Sequence, residues 1–400
     1  MDPDTARARF ENGAFFVMLD APAGLEFGID LDTWETGPLF KGLKMIPPGI
    51  HYIHYSVVNG DKQPGMRSGF FYNFNSREVV VRKWSKENEE LLSPDFVRKE
   101  DVESVQLNIR DLDTGLGAYQ LGEIREDNGR LPAYTRWQLL TEHITPKLLH
   151  RILPPYGCFS SATGSVYEDE EIASVRRMLE RNAHSMADQG ISVADARAII
   201  DSEAAANKGV ESDDRFHFTH INIRHSFPKD AKPEEIRLFS QDKSWLLRHI
   251  LKQHGVYELL GEFELSFLVI LVGQNFTGIE HWKRILHLVL GSIQILEDRE
   301  IVETLFVPIL RILLCQLGEC PHEFVASVLE QDNFVAEILR SLVLNVYECK
   351  NLSVKQLLDS EIENLRLLLA GFGWSLPKGN QLQEEADMEE GEYAPQVVEL

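Results

Sequence analysis

GLEFGIDLDTWETGPLFKGLKMIPPGIHYIHYS, residues 24–56, decides how this chain is read, because its residue choices are too costly to be ordinary surface. It holds five glycines, three prolines, Trp34, Phe40 and two histidines. Leu25-Glu26-Phe27-Gly28-Ile29 and Ile50-His51-Tyr52-Ile53-His54-Tyr55 are strand-like. The Gly/Pro-punctuated residues between them predict a long ordered loop instead of a hairpin. Pro47-Pro48-Gly49 removes two backbone donors, fixes φ twice and then supplies a permissive residue, which sets the entry of the next strand.

Working outward, Phe15-Phe16-Val17-Met18-Leu19 is a short apolar run ended by Asp20-Ala21-Pro22-Ala23-Gly24, a strand and then a turn. Downstream, Tyr52 to Val58 runs into Asn59-Gly60-Asp61, a hairpin signal because both central turn positions take φ > 0. Phe70 to Phe74 and Val79 to Trp84, separated by Asn75-Ser76-Arg77, predict another hairpin. The fold class expected is therefore α+β and multidomain, opening with an antiparallel β-sandwich or barrel-like domain over residues 1–153 with flanking helices. Ser93-Pro94, Pro132 and Thr145-Pro146 mark the helix starts, with Phe96, Val97, Val102, Val105 and Ile109 giving the first helix an apolar face.

Pro154-Pro155-Tyr156-Gly157 and the small polar run Ser160 to Gly164 break all periodicity. They place a boundary, followed over 154–232 by a linker, two helices (about Glu168 to His184 and Ser192 to Ala206) and an insertion in which Phe216 to Ile221 alternates like one strand. Residues 233–375 read as helix after helix with short connections, an all-α domain of VHS-like or solenoid-like kind without a strict repeat period. Residues 376–400 are expected to form an acidic flexible tail, in which residues 384–392 carry Glu384, Glu385, Asp387, Glu389, Glu390 and Glu392 with no positive charge. It ends in a β-prone segment, Tyr393-Ala394-Pro395-Gln396-Val397-Val398-Glu399-Leu400, which is suited to pairing with an exposed sheet edge of a partner and is the candidate binding site; the bland alternative is a frayed terminus.

Four hundred residues with 44% apolar content support two cores. A formal net charge of −23 disfavours a free-standing nucleic-acid binder, whose affinity comes mainly from lysine and arginine, and favours a protein or peptide partner. The acidic start predicts no signal peptide, and the longest apolar runs fall short of the roughly 20 residues of a membrane span. Cys158, Cys315, Cys320 and Cys349 lack framework spacing, as expected of a reduced compartment.

No constellation nominates an enzyme, a cofactor or a metal. His51 and His54 stand three apart on a strand and point to opposite faces; His217, His220 and His225 have the same problem. Cys315, Cys320 and His322 lack a fourth ligand, and Asp30-Asp32 and Asp111-Asp113 suit turns and caps better than paired acid catalysis. No phosphate-cradling glycine motif, nucleophile elbow or HExxH helix is present. Trp34, Phe40 and Trp282 suit either core or interface anchors, with core the commoner role, and Lys41, Lys44, Lys283 and Arg284 read as solvated ends of buried stems.

Several runs carry a family resemblance. Glu26-Phe27-Gly28-Ile29-Asp30, Trp34-Glu35, Gly37-Pro38, Phe40-Lys41-Gly42 and Lys44 to His51 lie in the opening stretch; Tyr134, Trp137, Leu140, Thr141 and Ile144 follow. Leu260 to Phe263, Glu280 to Leu286, Gln316 to Glu319, Pro321 with Phe324, and Gln331 to Phe334 lie in the helical half. Together they resemble the AAR-two (AAR2) splicing-factor family, with least likeness over 155–232. The resemblance implies a non-enzymatic assembly factor of the U-five small nuclear ribonucleoprotein, nuclear and cytoplasmic. It would bind the RNase H-like and neighbouring C-terminal domains of the Prp-eight scaffold, block premature binding of the Brr-two helicase and of RNA, and leave on phosphorylation. Its C-terminal segment would add as a strand to that partner, with no direct nucleic acid, no membrane and a monomeric state outside the complex. The loop serines Ser160, Ser161, Ser212 and Ser226 are candidate phosphosites that nothing in the sequence ranks. The alternatives are a helical-domain adaptor for peptide signals and a hydrolase built on the β domain.

Overall fold

The computed structural model describes residues 3–58, 64–121, 130–167, 214–228, 230–321 and 334–384. They form two compact units, the first from Met1–Trp137, Thr145–His220 and Val269–Thr277, the second from Gln138–Ile144, Ile221–Leu268 and Gly278–Leu400.

The first unit is β-rich, with strands β1 (Ala14–Leu19), β2 (Glu26–Ile29), β3 (Asp32–Glu35), β4 (Gly42–Ile46), β5 (Gly49–Val58), β6 (Pro64–Phe74), β7 (Val79–Ser85), β8 (Glu90–Leu91), β9 (Leu116–Ala118) and β10 (Cys158–Ser160). They make two five-stranded sheets, ordered β8-β7-β1-β4-β9 and β10-β6-β5-β2-β3. The continuous apolar run of β1 follows from its place in the layers. Ala14, Phe16 and Met18 enter the main core with Phe27, Ile53 and Phe70 of the other sheet. Phe15 and Val17 enter a smaller core with Val81 and Leu116, with Val105 of helix α2 (Lys99–Leu107), and with Phe10 of helix α1 (Pro3–Asn12). Alternate residues point to opposite faces, so a strand covered on both sides has no polar position to offer.

Four expectations are corrected. The sheets are mixed, because β1 pairs in parallel with β7 and β4 in parallel with β9. The sequence after Phe74 does not turn back as a hairpin: β7 leaves β6 and crosses to the other sheet beside β1, where Val80 and Val81 find a core on each face. The stretch between Ile29 and Ile50 is not one loop, since β2 and β3 form a hairpin in register Ile29↔Asp32 and β4 follows. Asp30, at φ 56°, supplies the left-handed residue that this two-residue turn needs. Finally, Ser93-Pro94 opens only a single 3₁₀ turn, Pro94–Phe96, without a side-chain cap, whereas Thr145 caps α4 (Pro146–Ile152) through Leu148 N at 3.1 Å. The Asn59-Gly60-Asp61 turn and the helices expected over 168–206 lie outside the described residues.

The boundary expected at Pro154 is also displaced. The chain continues into β10, which pairs with β6 in register Phe159↔Gly69, and the first unit runs on to His220. Gly157 makes this possible at φ 71°, where a Cβ would stand 2.6 Å from Phe71 O. Phe216 to Ile221 is not a strand but makes one parallel bridge, Ser165↔Phe216, with Phe216 and Phe218 buried.

The second unit is largely helical, with α5 (Pro233–Gln241), α6 (Ser244–His254), α7 (Val256–Leu271), α8 (Thr277–Leu290), α9 (Arg299–Glu319), α10 (Phe334–Glu348) and α11 (Leu352–Gly371), although the ends of α7 and α8 cluster with the first unit; α3 is Ala133–Leu140. The 21 residues of α9 are long and apolar enough to cross a membrane, but Val302, Leu305, Phe306, Ile309, Leu310, Leu313 and Leu317 are buried in this unit's core. Its π turn at Val302–Phe306 lies just before Pro308, where the ring removes a backbone donor. The tail expected to be free from residue 376 is packed further than composition suggests: Leu376 and Leu382 are buried, and Arg366 Nε donates to Leu376 O at 2.9 Å.

Candidate functional site

The opening stretch is organised by one carboxylate. Asp30 lies in the β2–β3 turn, and its Oδ1 accepts from Tyr52 N at 2.9 Å. Its Oδ2 accepts from Tyr119 Oη and His51 Nδ1, each at 2.6 Å. His51 Nε2 faces Pro47 O at 2.9 Å, so both ring nitrogens are engaged. Tyr119 has its hydroxyl pKa driven far up, first by burial and then by the Asp30 charge. An acid, a histidine and a tyrosine in contact resemble catalytic parts, yet Asp30, His51 and Tyr119 are 2%, 1% and 5% exposed. No substrate atom reaches them, and their geometry instead ties the turn, β5 and the segment after β9 together.

His54 sits on the other face of β5, as strand geometry requires, stacked on Tyr52 at 5.6 Å between ring centroids. Burial pushes its pKa down to about 3, with the Arg67 charge acting the same way. The two histidines therefore do not converge on a metal. Trp34 and Phe40 pack against Phe27 at 5.6 and 4.9 Å between ring centroids and belong to the core margin. Lys44 Nζ is tied to Asp113 Oδ1 at 2.6 Å, so it is a tether between β4 and the turn before β9. Tyr134 lies against Tyr119 and His51, and Trp137 Nε1 donates to Ile50 O at 2.8 Å.

In the second unit, three sequence segments that lie far apart meet in one core. Glu262 pairs with His281 at 2.8 Å, Phe263 stacks on Trp282 with ring planes 6° apart, and Trp282 Nε1 donates to Gln316 Oε1 at 2.8 Å. His143, on the segment assigned to this unit, holds the buried Glu264 through Nδ1 and its backbone N, both at 2.7 Å. Burial raises the pKa of Glu264, and that carboxylate raises the pKa of His143. Among the candidate phosphosites, Ser226 is fully buried, with its hydroxyl donating to Phe239 O at 2.5 Å, which removes it from kinase reach; Ser160 ends β10 and Ser161 follows it. Ser212, His322 and the candidate binding segment Tyr393, Ala394, Pro395, Gln396, Val397, Val398, Glu399 and Leu400 lie outside the described residues.

The residues that carry the resemblance are thus mostly determinants of the two folds. Sequence reasoning missed Tyr119 and Glu264, because a lone tyrosine just past a short strand or a glutamate in an apolar helix has no local signature. It also passed over a cavity of about 800 Å³ in the first unit, lined by Phe71, Tyr72, Arg82, His150, Arg151 and His217 among others. Among the described residues, no group of three or more His, Cys, Asp or Glu side chains is placed to hold a metal ion.

Comparison with known proteins agrees across both halves. The family model of the AAR2 N-terminal domain matches residues 12–154, and that of the AAR2 C-terminal repeat region matches residues 218–377. A protein AAR2 homolog of Homo sapiens is 32% identical over 349 residues, covering 85% of this chain and 84% of the human one. The Mus musculus homolog is 30% identical over 410 residues, covering 100% of this chain and 97% of its own. The Caenorhabditis elegans homolog is 29% identical over 360 residues, with 86% and 90% covered.

Proposed function

The chain belongs to the AAR2 family, and from that premise we propose that it is a pre-mRNA splicing factor acting in assembly of the U-five small nuclear ribonucleoprotein. In this reading it binds the RNase H-like and neighbouring C-terminal domains of the Prp-eight scaffold. It thereby keeps the Brr-two helicase and spliceosomal RNA off the immature particle, in cytoplasm and nucleus, until phosphorylation releases it. The observation that carries the reading is the match of both halves in one chain, at near full length against the mouse homolog.

Two physical features support it. A net charge of −23 suits a protein that covers a basic, RNA-binding face of its partner and repels phosphates from it. The stretch Tyr393 to Leu400 follows an acidic segment and is β-prone through Tyr393, Val397 and Val398, as suits a strand that adds to a sheet edge. A new phosphate would add charge beside an already acidic interface and so favour release.

The test is binding to the RNase H-like domain of Prp-eight with the full chain and with a version ending at Glu384, a cut that spares the buried Leu382. The expected result is tight binding that weakens at least about tenfold on truncation and falls with ionic strength. Binding unaffected by the cut removes the strand-addition step, and no binding at low salt by either chain removes the partner.

A further inference from the structure

The cavity of the first unit is electrostatically unlike the rest of the protein. The chain has 63 acidic and 40 basic residues, yet among the described residues the cavity walls contain Arg82, Arg151, His150 and His217 and no carboxylate. Apart from the Asn73 amide, its remaining side chains are mostly apolar or aromatic, among them Phe71, Tyr72, Leu149, Leu153 and the Pro154-Pro155 turn. A volume of about 800 Å³ is enough for a few residues of peptide.

Arg82 is the second and independent observation. Its side chain is 9% exposed, and its one side-chain hydrogen bond runs from Nη1 to Val81 O at 3.1 Å. The guanidinium lies over the Phe70 and Tyr72 rings, at 5.3 and 5.9 Å from their centroids. No described carboxylate forms an ion pair with it. Glu78, the acid that acts on it electrostatically, is engaged by Tyr72 Oη at 2.6 Å and by Asn75 N at 2.7 Å. Asp95, near the rim, is held by the Tyr156 hydroxyl. A buried cation without a counter-charge is costly, and natural cores pair such groups. Arg82 lines the cavity, so among the described residues the side left for a counter-charge is the cavity itself.

We propose that this cavity is a docking site for a short acidic peptide of a protein partner, with a carboxylate of that peptide seated on the Arg82 fork and an apolar side chain beside it against Phe71, Tyr72 and the Pro154-Pro155 turn. The carboxylate is placed on Arg82 because its planar fork, held over the Phe70 and Tyr72 rings beside apolar walls, matches a carboxylate bidentately; the other basic groups of the cavity make a phosphoserine peptide the control that decides between the two anions. The proposal rests on the cavity alone and does not depend on the Prp-eight reading.

The probe is a capped hexapeptide of alternating glutamate and phenylalanine, titrated calorimetrically into the full chain beside its glutamine counterpart, a phosphoserine counterpart and a single-stranded RNA hexamer. The glutamate peptide is expected to bind with Kd on the order of tens of micromolar, and the glutamine peptide at least tenfold more weakly. Arg82→Met, which keeps the stem and removes the charge, is expected to abolish this preference, and Arg82→Lys to keep only part of it. Equal binding of the glutamate and glutamine peptides overturns the proposal without recourse to any variant. So does tenfold tighter binding of the phosphoserine peptide or of RNA, or a glutamate preference that survives in a folded Arg82→Met protein.

Discussion

Replacing Asp30 by alanine tests the idea that one buried carboxylate holds the opening stretch together. The substitution strips the acceptor from Tyr119 Oη, His51 Nδ1 and Tyr52 N at once, in a site where Asp30 is 2% exposed. Each buried donor left unsatisfied costs about 1–3 kcal/mol, and alanine at φ 56° adds about 1 kcal/mol that aspartate tolerates better. Allowing for partial relaxation, the loss is about 4–6 kcal/mol, against about 5–15 kcal/mol for a whole domain. Asp30→Asn keeps one acceptor for Tyr52 N and can donate where the carboxylate accepted, so it costs about 1–2 kcal/mol. The assay is denaturant-dependent hydrogen exchange on the full chain, which reads β2 and β5 separately from α8 and avoids treating two units as one transition. Protection in β2 and β5 should fall by those amounts while α8 is unchanged. A loss below about 1 kcal/mol for Asp30→Ala would refute the reasoning and reduce the cluster to incidental contacts.

The remaining predictions follow the same geometry. His54 has a folded-state pKa near 3 against 6.5 when unfolded, so its contribution is complete above pH 6.5 and is lost as pH falls from there towards 3. At pH 4.5 the first unit should have lost about 2–3 kcal/mol through this group, and His54→Gln should flatten the stability profile between pH 6.5 and 4.5. Trp282→Phe leaves Gln316 Oε1 without its donor and should cost about 1–3 kcal/mol by exchange in α8, with Gln316→Leu restoring part of it in a double-mutant cycle. Gly42→Ala would place a Cβ 1.9 Å from Phe16 O at φ +138°, so the β1–β4 pairing should lose more than about 3 kcal/mol, read as lost protection in both strands.

The division into a β-rich and a helical half was legible because it rests on local periodicity. Alternation in His51 to Tyr55 and helical spacing in α8 are properties of a few consecutive residues. The discounting of the histidines was legible for the same reason, since strand geometry alone sends His51 and His54 to opposite faces. The hairpin expected after Phe74 failed because a turn signal in Asn75-Ser76-Arg77 says that the chain bends, not which neighbour the next strand meets. Two apolar faces on β7 demanded a core on each side, and its place beside β1 supplies both, Val80 entering the main core and Val81 the smaller one.

The sequence by itself determined the family, the acidic balance, the secondary-structure character of each half and the absence of a local catalytic motif. Those are carried by composition and by residues close in the chain. Tertiary structure alone decided that Tyr119 donates a hydrogen bond to Asp30, that Glu262, His281, Trp282 and Gln316 form one core, and that Arg82 lines a cavity to which the described residues bring no carboxylate. The partners in these contacts stand 89, 34 or 19 residues apart, or are absent, and no propensity acting over a turn or two encodes a pairing made by closing a loop of that length.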